Sequence, residues 1–99
     1  MEYMPEVIQV IPDDNYKVYV YFDDGSIKLY DASNLIKQGI FTKLQDINIF
    51  INTCTVLNGT LAWDLDGNYN ESTCLDIDPF EIYDNSLEVE EPYHLFKNE

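Results

Sequence analysis

A chain of 99 residues, 45% hydrophobic and 14% aromatic, is long enough for one small domain with one core and too apolar for a disordered segment. Five lysines stand against 19 acidic residues, for a net charge of −14, and arginine is absent. The missing guanidinium fork and the surplus of negative charge exclude direct nucleic-acid binding. A single histidine, His94, leaves little material for histidine-based triads or His-rich metal sites.

The first residues are acidic and lead into alternating apolar positions. This pattern gives neither a signal peptide nor a run of about 20 apolar residues, so a cytoplasmic location without membrane association is expected. Cys54 and Cys74 are then expected as free thiols.

In chain order, residues 5 to 11 are β-branched and apolar and end in the turn formers Pro12-Asp13-Asp14-Asn15, which predicts a first strand. Tyr16 to Phe22 has the strongest strand propensity, Asp23-Asp24-Gly25 marks a hairpin turn, and Ser26 to Tyr30 alternates with period two. The three segments predict a meander with one buried face, in which Ile27 and Leu29 lie opposite Lys28. Asp31 or Ser33 caps a short helical segment ending near Gly39. Phe41, Leu44, Ile47 and Phe50/Ile51 then recur at helical spacing. Thr53–Leu57 and Thr60–Asp64, joined by Asn58-Gly59, predict a second hairpin. Thr73–Ile77 reads as a short further strand, and Asp78-Pro79 opens a helical turn with Asp78 as N-cap. The expected organisation is a single α+β domain over residues 1–84, with a small antiparallel β-sheet (meander plus hairpin, about five strands within residues 5–64) packed with one or two short helices. Residues 85–99 are expected to form an acidic C-terminal extension. Leu29, Leu44, Phe50 and Trp63 are the expected core.

Val7 and Val10 before Pro12, Tyr16 to Phe22 with Asp24-Gly25, Tyr30-Asp31, Leu35, Gly39-Ile40-Phe41, Leu44, Asp46, Phe50, Trp63 and Asp76-Ile77-Asp78-Pro79 followed by Tyr83 form an ordered set. Over about residues 4 to 83 it resembles the small bacterial family catalogued as domain of unknown function 2442. The resemblance implies a curved antiparallel sheet packed with short helices and carries no established activity. Relatives often lie beside another small uncharacterised protein, a setting that has prompted toxin and antitoxin proposals. Relative to the family, residues 67–73 form a local extension. The residues after Tyr83 are too few for the C-terminal helix-turn-helix of some relatives.

Asp64, Asp66, Asn68 and Asn70 place oxygen-bearing side chains at alternate positions, as in calcium loops. Counted from Asp64, however, the glycine and glutamate of the EF-hand pattern are replaced by Tyr69 and Leu75. The loop is read as a solvated turn, with no metal and no cofactor expected. Carboxylate pairs such as Asp76 and Asp78 arise by composition alone in so acidic a chain. No serine has a histidine partner and no cysteine an adjacent cation, so no catalytic residue is expected. Trp63, Tyr30 and Phe50 are read as core rather than as a ligand pocket.

Charge is the most informative feature. Residues 1–63 hold 8 acids and 4 lysines (−4), and residues 64–99 hold 11 acids and one lysine (−10). Such polarity steers a basic partner. The expected partner-binding residues are the acidic face Asp76, Asp78, Glu81, Asp84, Glu88, Glu90 and Glu91 with the aromatics Tyr83 and Tyr93. The leading reading is a non-enzymatic interaction module, antitoxin-like or regulatory, that binds a basic protein such as a toxin or a nucleic-acid-binding enzyme. The alternative is a phage-encoded nucleic-acid mimic that inhibits a nuclease, in the manner of an anti-CRISPR. The third is a calcium or small-ligand binder.

Overall fold

The structure, a computed structural model, describes residues 3–67 and 74–91. Strands β1 (Val7–Pro12), β2 (Lys17–Phe22) and β3 (Ile27–Asp31) form the expected meander. Two 3₁₀ helices, Leu35–Lys37 and Gly39–Gln45, and helix α1 (Ile47–Thr53) follow. Then come β4 (Cys54–Leu57), β5 (Thr60–Trp63), β6 (Leu75–Ile77), helix α2 (Pro79–Asn85) and the short β7 (Leu87–Glu88). The α+β class is as the sequence indicates, but the strands divide into two antiparallel sheets, β1-β2-β3-β7 and β4-β5-β6.

Turn chemistry sets the hairpins. Asn58 and Gly59 both take positive φ, 53° and 72°, the geometry of a type I′ turn, which matches the twist of the strands it joins. The Gly59 carbonyl also accepts from the Val7 N–H at 2.8 Å, tying the second sheet to the start of the first. Tyr16 holds φ 63°, uncommon for a residue with a Cβ. Its ring meets Phe50 edge-on at 5.3 Å, and its carbonyl accepts from the Ala32 N–H. A tertiary contact and a backbone bond thus hold the turn that delivers Lys17 opposite Asp31.

The core gathers Val7, Val18, Val20 and Phe22 from the first sheet, Ile36 and Leu44 from the 3₁₀ stretch, Phe50 from α1, Leu61 and Trp63 from β5, and Ile82 from α2. Leu29 does not join it. Val20 pairs with Lys28, and Tyr19 with Leu29. Residues paired across antiparallel strands share a face, so Leu29 stands half-buried on the face away from the core, while Lys28 and Tyr30 share the face of Val18 and Val20. The long helix implied by the spacing of Phe41 to Ile51 is broken at Asp46, whose side chain accepts from the Asn48 N–H at 3.0 Å and starts α1 as an N-cap.

The fold takes in part of the segment assigned to the C-terminal extension. Leu87 and Glu88 pair with Leu29 and Lys28, so Glu88 belongs to the sheet rather than lying beyond it. No helix of the described residues is long and apolar enough to cross a membrane.

Candidate functional site

β7 borders only Lys28 and Leu29 of β3. Beyond that point Tyr30 and Asp31 face a groove of about 900 Å³ between β3, the 3₁₀ stretch, β6 and α2. Its apolar surface comes from Leu29, Leu35, Phe41, Ile77 and Leu87, with the half-buried Tyr30 ring among them. Its charged rim comes from Asp31, Asp76, Asp78 and Glu81, against one lysine among the described residues, Lys17.

Local structure fixes these acids. The Asp31 carboxylate accepts from the Ser33 N–H at 3.0 Å, and this bond, followed by the Ser33 side chain, lowers its pKa despite slight burial. Asp78 caps α2 by accepting from the Phe80 N–H at 2.9 Å, with Pro79 in the first turn. Such a cap orients one carboxylate oxygen and leaves the other available. Glu81 and Asn85 follow at helical spacing and line the same groove, while Ile82 is buried. Burial, and then the charges of Glu81 and Asp31, raise the Tyr30 hydroxyl pKa. Carboxylates from α2 and from β3 therefore act on one phenol.

The seven acids expected to form one face separate into groups. Asp76, Asp78 and Glu81 converge on the groove. Asp84 is exposed and does not line it. Glu88 lies 3.7 Å from the Lys28 ammonium. Glu90 is exposed, and Glu91 accepts from the Tyr21 hydroxyl at 3.2 Å, on the sheet face opposite the core. Tyr83 is held within the fold. Its ring meets Phe22 edge-on at 5.0 Å and Tyr3 at 5.3 Å, and its hydroxyl donates to Asp24. Tyr93 lies outside the described residues.

Of the oxygen-bearing loop, Asn68 and Asn70 also lie outside the described residues. Asp64 is buried and accepts from the Gly67 N–H at 3.0 Å, and Asp66 is exposed. Among the described residues no three potential metal ligands cluster. Cys54 and Cys74 are not bonded to each other. Burial pushes the Cys54 thiol up to about 12, and burial with the charge of Asp64 raises Cys74, so both are protonated at neutral pH.

The sequence pattern omits half of the groove. Asp31 reads as a helix cap, Tyr30 as core and Leu87 as part of a tail.

These features define a small two-sheet α+β domain with an acid-rimmed groove beside the end of β3 that β7, among the described residues, does not cover. A family model described as "Protein of unknown function (DUF2442)" matches residues 7–88, and the chain belongs to that family. No curated protein and no solved structure matches it.

Proposed function

We propose that this protein is a non-enzymatic cytoplasmic interaction module, antitoxin-like or regulatory, that binds a basic protein partner at the groove. The supporting observation is the convergence of Asp31, Asp76, Asp78 and Glu81 from separate elements on one concavity that, among the described residues, holds a single lysine. Carboxylates set around apolar surface attract a cationic partner at long range and bury part of it on contact. The apolar surface between Asp31, Asp76, Asp78 and Glu81 supports a protein partner over a purely electrostatic mimic of phosphates.

Affinity capture from the native host tests the proposal, with wild type compared against the triple variant Asp76→Asn, Asp78→Asn, Glu81→Gln. Asparagine keeps the cap at position 78. A lysine- and arginine-rich protein retained by wild type and lost by the variant is the expected result. Equal retention by both proteins, unaffected by salt, contradicts it. Competition by added DNA or RNA identifies the partner as a nucleic-acid-binding protein, whereas a toxin without nucleic-acid affinity stays bound.

A further inference from the structure

We infer that the groove receives an extended segment of its basic partner in which one aliphatic or aromatic side chain lies between lysines or arginines. The inference rests on the proposal above and adds the chemistry of the occupant. An electrostatic surface alone needs only carboxylates. Here Leu35, Phe41 and Ile77 reach outward from the core into the groove, and Leu87, 70% exposed, stands at its edge. Exposed apolar surface concentrated in a recess gains most from being covered. About 900 Å³ lies within the range of clefts that bury a ligand, about 300–1,000 Å³.

Charge selects the flanks. Asp31 stands on the β3 wall, and Asp76, Asp78 and Glu81 on the β6 and α2 walls, so a chain lying between the walls has carboxylates on both sides. An apolar anchor at its centre then meets Leu35, Phe41 and Ile77. The backbone supports an extended occupant. The Ala32 N–H donates to the Tyr16 carbonyl, and the Ile27 carbonyl accepts from the Val89 N–H. Even-numbered residues of β3 thus turn their peptide groups toward β2 and odd-numbered ones turn theirs away. Asp31 therefore directs its N–H and C=O to the side of β3 on which the groove opens, where they meet the backbone of an extended occupant.

Selection from a random displayed-peptide library, followed by titration of the isotope-labelled full chain with the enriched peptide, tests this. The expected motif is an aliphatic or aromatic residue flanked by lysine or arginine, and binding shifts the amide signals of Asp31, Leu35 and Phe41. Replacing the anchor by serine weakens the peptide about ten-fold, the equivalent of one buried aliphatic side chain. Leu87→Ser, at an exposed position that leaves folding intact, weakens the anchored peptide but not its serine version. Enrichment of cationic peptides without an apolar preference, unaffected by Leu87→Ser, overturns the anchored segment and leaves the acidic-face proposal standing. Enrichment of no cationic peptide at low salt overturns both.

Discussion

Lys28 holds its ammonium 4.7 Å from the centre of the Tyr83 ring. A strand of the first sheet is thereby joined to helix α2, within the acidic C-terminal third. The lysine side chain is only 12% exposed and its ion-pair partner Glu88 is 67% exposed. The stem and the cation–π contact therefore carry more of this link than the ion pair. Lys28→Ala is expected to cost about 1–2 kcal/mol and Glu88→Gln less than about 0.5 kcal/mol, measured by urea denaturation.

Core truncations should follow the observed register. Leu44, Phe50 and Trp63 are fully buried, and changing any of them to alanine should cost about 2–5 kcal/mol. Leu29→Ala should cost clearly less, because Leu29 lies on the other face. Trp63 also carries a buried indole N–H that meets no hydrogen-bond partner among the described residues. Trp63→Phe removes that unmet donor along with some packing, so its cost should fall well below that of Trp63→Ala. Chemical denaturation of the three series checks the ranking.

Turns, caps and strand propensity are strongly legible in this sequence because they are local. Asn58-Gly59 and Asp78-Pro79 stand where the sequence indicates. What is not legible depends on pairing across distance. The face on which Leu29 falls is set by its register with Tyr19, and one residue of slip reverses it. The division into two sheets is equally non-local, since it depends on where β1 meets the β4–β5 turn. The site follows the same rule. Asp76, Asp78 and Glu81 are close in sequence and read together, whereas Asp31 and Tyr30 reach them only through the fold. Glu91 reads with the acidic run but bonds Tyr21 on another face.

Acid and alkali should act through different groups. The Ser26 hydroxyl, then the Tyr83 hydroxyl, lower the pKa of Asp24, and the Ser33 N–H lowers that of Asp31. Their folded values lie below the ordinary 3.8. The stability they contribute is complete above that value and is lost as pH falls through the folded ones. Tyr3 and Tyr21 are raised from 10.0 to about 12, chiefly by burial and then by hydrogen bonds to Asp23 and Glu91. Their contribution is complete below 10 and disappears as pH rises toward 12. Ultraviolet titration should show Tyr3 and Tyr21 among the late-ionising tyrosines, with Tyr30 also raised, and Glu91→Gln should move Tyr21 earlier.

Millimolar calcium added to chelator-treated protein should leave Tm nearly unchanged, since a ligand of the folded state stabilises by mass action. A rise of several degrees in a thermal melt contradicts the reading of the loop that begins at Asp64 as a solvated turn.

Site-specific photocrosslinking locates the partner surface most directly. A photoreactive residue replaces either Leu87, at the groove, or Asp84, exposed on α2 outside it. The captured basic partner should crosslink from position 87, lose that crosslink in the Asp76→Asn, Asp78→Asn, Glu81→Gln background or at high salt, and crosslink weakly from position 84. Efficient crosslinking from position 84 alone, indifferent to the three groove acids, contradicts the assignment of the groove as the binding site.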